Sequence, residues 1–183
     1  MTRIFFWLAG VALIAFGTVQ VAAHKLPNII MVRAIEKLQE GYGADANEFG
    51  HSGPITADNQ RVVRPSPDLA YSICLYDLTD GPVAVTVPKA ANYLSVALYD
   101  MGTNNFFHLN DGEMESDLTR VVILPAGEDA TSVTHGASQA EKVATSPTKE
   151  GLVLVRRVLM DDQDWPVIEE ERKLMKCAPL TLG

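Results

Sequence analysis

The spacing of apolar and polar positions changes along the chain. From Ile4 to Ala23, "IFFWLAGVALIAFGTVQVAA", no residue is charged. Phe5, Phe6, Trp7, Leu8, Val11, Leu13, Ile14 and Phe16 cover every face of a helix, so the segment does not read as a half-buried core helix. Twenty helical residues rise about 30 Å, the thickness of a bilayer core. From Leu26 to Leu38 the spacing becomes three to four. Ile30, Ala34, Ile35 and Leu38 predict a short separate helix, with Pro27 in its first turn and Gly41 and Gly43 ending it. Residues 41–60 are glycine-rich, polar and without period, and read as a loop.

Period two then takes over. Tyr71, Ile73 and Leu75 alternate with Ser72, Cys74 and Tyr76. "TDGP", 79–82, is a turn whose glycine tolerates positive φ. Val83, Val85 and Val87 form the next row, stopped by Pro88. Tyr93 to Tyr99 alternates again, "NNFFHL" runs to a turn at Asn110-Asp111-Gly112, and "RVVIL" and "GLVLVRRVLM" are two further strands. A polar stretch from Gly127 to Lys149 separates those two. The chain closes with a helix that Asp164 caps. Trp165, Ile168, Arg172 and Met175 share one face, glutamates 169–171 lie early, and Arg172, Lys173 and Lys176 lie late, an order that complements the helix dipole.

Strands at short spacing, helices only at the ends and no βαβ alternation predict an α+β, mainly β fold. It is an antiparallel β-sandwich preceded by one transmembrane helix. The expected segments are 1–25 (anchor or signal), 26–60 (juxtamembrane helix and loop) and 61–183 (sandwich with C-terminal helix). The rows Val83, Val85, Val87 and Leu94, Val96, Leu98 are expected to bury in one core, from neighbouring antiparallel strands joined through Pro88–Asn92. Thr86 and Ser95 then look outward or toward a small groove, so Ser95→Asp is expected to be much milder than Val96→Asp.

Charge and cysteines place the domain. "VAA" before His24 fits a cleavage site loosely, but the apolar run exceeds a signal core of about 7–15 residues, and the balance falls to an uncleaved anchor. Arg3 on one side and Lys25, Arg33 and Lys37 on the other leave the positive-inside rule silent. The leading position favours export, giving a single-pass inner-membrane protein with its C-terminal domain in the periplasm. Setting Arg3 aside with the leading segment leaves 14 of 15 basic residues against 23 acidic ones, a net charge of −9. Such a domain has no electrostatic footprint for nucleic acid and no polybasic segment for anionic lipid. An oxidising compartment predicts a Cys74–Cys177 disulfide, whose loop of about 103 residues allows at most about 4–5 kcal/mol.

Candidate chemistry is thin. "GYGADA", 41–46, has dinucleotide-fingerprint letters without the strand and helix that give them meaning. "GHSGP", 50–54, lacks the strand and the second glycine of a nucleophile elbow. His24, His51, His108 and His135 are scattered, so no metal site and no cofactor is expected. Asp68, Asp77, Asp80 and Asp100 sit at strand ends, where aspartates bond backbone amides or, if two converge, do acid–base work. "DMGTNNFFHLND", 100–111, is the most polar stretch between strong strands. Asp68, Tyr71, Asp100, Asn104 and His108 are the weak catalytic candidates.

Three stretches together resemble domain-of-unknown-function family 1254: "VVRPSPDLAYSICLYDLTDGPVAVTVP", "NYLSVALYDMGTNNFFHLND" and "VATSPTKEGLVLVRRVLMDDQDWPVIEEERKLMKCAPL". The resemblance covers about residues 60–180 and is greatest to the short, membrane-anchored bacterial form. It implies a sandwich of jelly-roll type, a frequent companion protein of family 1214, and no established general reaction. Longer members carry an Asn-Asp-Thr-like sequence before the tyrosine. Here Ser66, Pro67, Asp68 and Leu69 stand there, which leaves Asp68 and Tyr71 of that segment. The resemblance therefore favours an accessory or binding domain. The alternative is a hydrolase-like enzyme on a small or glycan-like substrate.

Overall fold

The structure is a computed structural model that describes residues 2–56, 65–128, 141–161 and 163–180. His135 and parts of the two polar stretches lie outside the described residues. One helix, α1 (Thr2–Tyr42), runs unbroken through Pro27, so the separate helix expected from Leu26 is the continuation of the apolar one. Proline leaves the amide acceptor one turn back unpaired, yet the turns on both sides hold the helix. Gly43, at φ 63, ends it as expected. Among the described residues, α1 alone has the length and composition to cross a membrane, and none of its most apolar 18-residue stretch is buried. This one candidate span supports anchoring by a single pass.

Among the described residues nine strands follow: β1 (Phe49–His51), β2 (Leu69–Asp77), β3 (Val83–Pro88), β4 (Leu94–Asp100), β5 (Asn105–Asn110), β6 (Leu118–Leu124), β7 (Glu141–Thr145), β8 (Glu150–Val158) and β9 (Lys176–Pro179), with α2 (Asp164–Arg172) before the last. They form two sheets, β1-β2-β8-β4-β5 and β7-β6-β3-β9. Alternation places Cys74, Tyr76, Leu94, Val96, Leu98, Val153 and Val155 of the first against Val83, Val85, Val87, Val121, Ile123 and Cys177 of the second, in one core. This is the expected two-sheet sandwich. The opposite face of the first sheet carries Ile73, Leu75 and Leu152. Against them pack Met31, Ile35, Leu38 and Tyr42 of α1.

Several expectations are corrected. β3 and β4 are not neighbours: β3 pairs with β6 and β9, and β4 with β5 and β8. Their two apolar rows do share the core, but from opposite sheets. Alternation reports which residues meet the core, not which side of it they stand on. The Pro88 ring ends donation, and the Lys89 amide is held 2.8 Å from the Asp117 carbonyl as the chain crosses over. Ser95 points away from the core, yet it is wholly buried, whereas Thr86 is half-exposed. β6 and β7 run parallel, so the second sheet is mixed.

β1 lies inside the stretch read as loop, and beyond the closing helix the chain adds a strand, β9, which carries Cys177. Asp164 does not cap α2. Gln163 holds that position without a side-chain bond, and the Asp164 carboxylate accepts instead from the amides of Met160 (2.7 Å) and Asp161 (3.4 Å). Because α2 ends at Arg172, the three glutamates fall in its last turn, where the dipole does not favour them. Local cations hold them there: Glu169 pairs with Arg172, Glu170 with Lys173, and Glu171 with Arg157.

The Cys74–Cys177 disulfide is present, with Cα atoms 6.5 Å apart. It joins β2 of one sheet to β9 of the other.

Candidate functional site

The polar side chains gather in two places. The first is the end of the sandwich that α2 closes. On β8 the core row Val153, Val155 is continued by Arg157, only 2% exposed. Its guanidinium pairs with Glu171 and donates to the Pro88 carbonyl at 3.2 Å. Arg172, reaching in from α2, donates to the carbonyls of Ser52 (2.9 Å) and Tyr71 (3.0 Å) and to Glu169 (2.5 Å). It also lies 5.0 Å from the centre of the Trp165 ring.

Both arginines are held below their ordinary range, Arg157 to about 10, by burial first. Their mutual repulsion adds to the effect at Arg157. Next to them, His51 Nδ1 is 2.8 Å from the Ser72 hydroxyl. Burial, then the charge of Arg172, lowers His51 to about 4, so its ring is neutral at pH 7.

A serine beside a neutral histidine has the spacing of a nucleophile and base. Ser72, however, is 2% exposed, and no carboxylate is hydrogen-bonded to the ring among the described residues. The pair fixes β1 on β2. Beside α2 a cleft of about 210 Å³ opens, lined by Asn92, Arg157, Asp164, Glu171 and apolar side chains. Its polar groups are bonded to one another: Asn92 donates to Asp164 at 3.2 Å, and Glu171 takes Arg157.

The second gathering is the β4–β5 turn. Asp100, 3% exposed, accepts from the amides of Gly102 and Asn104, each at 2.8 Å, and from the Asn104 side chain at 2.9 Å. Both carboxylate oxygens are thereby engaged in closing the turn, with Thr103 at φ 66.

The other sequence candidates lie elsewhere. Asp68 is exposed. The Tyr71 hydroxyl accepts from the Ser66 amide at 2.9 Å. His108, exposed on β5, shares the outer face of the first sheet with Tyr71, but lies three strand spacings across and two residues along, roughly 16 Å away. Tyr71 pairs with Arg156 and Asp100 with Gly151, five residues along β8, or roughly 17 Å. Of the five candidates, only Asp100 and Asn104 come together. Among the described residues no three His, Cys, Asp or Glu side chains cluster to hold a metal.

Sequence reasoning passed over Arg157, His51 and Ser72. One signal was available: in "GLVLVRRV" the alternation Val153, Val155 makes the next inward residue an arginine. An arginine at the end of a core row needs a buried partner.

The family model described as "Protein of unknown function (DUF1254)" matches residues 46–179. The chain belongs to the DUF1254 family. A search of curated proteins finds no match. Among solved structures, the VPA0106 protein from Vibrio parahaemolyticus is similar, with 13% identity and a TM-score of 0.62 over 87% of this chain and 37% of that one. An uncharacterized protein from Burkholderia cenocepacia matches with 17% identity and a TM-score of 0.46, over 73% of this chain and 37% of that one. This DUF1254 chain therefore spans well under half the length of both solved relatives.

Proposed function

We propose that this protein is a membrane-anchored envelope domain that binds a partner protein, of the family 1214 kind, rather than turning over a substrate. The observation that carries the reading is dispersion. Asp68, Tyr71, Asp100, Asn104 and His108 occupy different ends and strands, and the polar groups that do meet are spent on one another. A disulfide between the sheets supports an oxidising compartment, hence the periplasmic side of the inner membrane. The Vibrio protein supports partnership, because the shared fold makes up 37% of that chain and stands there beside further polypeptide.

The test is co-expression of the full chain with the family 1214 protein of the same genome, followed by purification in mild detergent. Co-elution at fixed stoichiometry is expected. Separate elution of two well-folded proteins at micromolar concentration rejects the pairing.

A further inference from the structure

The apolar surface of α1 does not end at the same level on all sides. His24, Asn28, Met31, Ile35, Leu38 and Tyr42 follow one another at helical spacing and form one stripe. That stripe is polar at His24 and Asn28, and from Met31 (5% exposed) onward it is buried against the domain. Asn28 itself reaches the Met101 carbonyl at 3.5 Å. The opposite stripe contains Leu26, Ile29 and Ile30, which are 50%, 54% and 58% exposed. It becomes charged only at Arg33 and Lys37. Among the described residues no part of the domain covers these three side chains, and they prolong the exposed apolar surface that begins at Ile4.

We infer that the hydrocarbon of the bilayer covers Leu26, Ile29 and Ile30, so that α1 crosses the membrane obliquely and stays in lipid about two turns longer on the side away from the domain. Continuity with the spanning segment identifies the occupant. An apolar row that merges with lipid-facing residues, without a polar break on its own stripe, belongs to the same solvent. Lengths agree. Ile4 to Ile30 spans ~40 Å of helix against a core of ~30 Å, which fits at a tilt of about 40°, the upper end of the usual range. Lys25 falls on the border between the stripes, with a four-carbon stem long enough to bring its ammonium to the headgroups. The helix then leans away from the domain, which rides on its upper side, and the Met101–Asn104 turn beside Asn28 is the part of the sandwich nearest the lipid.

The inference rests on the anchored reading, and the experiment separates the two. Full-length protein with its native disulfide intact receives one added cysteine at a time (Ile14→Cys, Asn28→Cys, Ile30→Cys). Each is labelled with a nitroxide without reductant and reconstituted in phosphatidylcholine vesicles. Collision with oxygen, which enriches in lipid, is compared with collision with a water-soluble nickel chelate. The oxygen-to-nickel ratio should be high at position 14 and at position 30, and several-fold lower at position 28.

A high ratio at 14 with equal low ratios at 28 and 30 overturns the oblique crossing and leaves the anchor standing. A low ratio at 14 fails the anchor itself. Shielding of position 30 from both probes, with an immobilised spectrum, means that protein covers the stripe, and this also overturns the inference.

Discussion

Ser95 shows how a single side chain departs from its pattern. Alternation sends it away from the core, but it is completely buried, and its hydroxyl has no hydrogen-bond partner among the described residues. An unpaired buried hydroxyl costs about 1–3 kcal/mol, so Ser95→Ala should leave the denaturation midpoint unchanged or raise it. Ser95→Asp should unfold the domain nearly as readily as Val96→Asp, because both place a carboxylate where no water reaches. Urea titration of the three variants checks the order.

His51 gives a pH dependence with a definite sign. Its folded value lies near 4 and its unfolded value near 6.5, so in that interval the unfolded chain binds a proton that the folded chain refuses. The stability contributed is whole above about 6.5 and declines as pH falls toward 4. His51→Gln should flatten this part of the profile. An unchanged slope in midpoints measured from pH 7 to pH 4 would discount the residue.

Among the elements, the long alternating ones were legible and the short ones were not. β2, β4, β6 and β8 each bury a full apolar row, and that row is what a sequence displays. β1 has three residues and β9 four, of which only Gly50 and Cys177 are buried, so neither carries a period. The sheet supplies their partners. The site divides the same way. The turn at Asp100 followed from aspartate chemistry at a strand end, whereas the meeting of Arg157 with Glu171 and of His51 with Ser72 depends on how α2 and β1 dock.

β9 leans on its disulfide. Three of its four residues are exposed, and of its buried side chains there is only Cys177. Reduction should therefore lower stability by up to about 4–5 kcal/mol, the chain-entropy value for this loop. The shift in urea midpoint between oxidised protein and Cys177→Ala reads it directly. Coincident transitions would show that the bond contributes nothing.

For the whole molecule, the apolar segment and the acidic domain belong to different solvents, and the sequence displays that division without any fold. An uncleaved anchor keeps the protein in the membrane pellet after carbonate extraction. A soluble product beginning at His24 would instead identify the leading segment as a signal peptide.

The position of the disulfide has a mechanical consequence. A pull between the bilayer and anything gripping the C-terminal end enters through α1, runs along β1 and into β2, and reaches Cys74. There it crosses to Cys177 and leaves through β9, since the two sulfurs are bonded across 103 positions of sequence. The polypeptide between them, with β3 to β8 and α2, forms a closed loop in parallel with the bond and bears no tension. A domain tethered in this way can carry force from one end of the chain to the other while most of its strands stay slack.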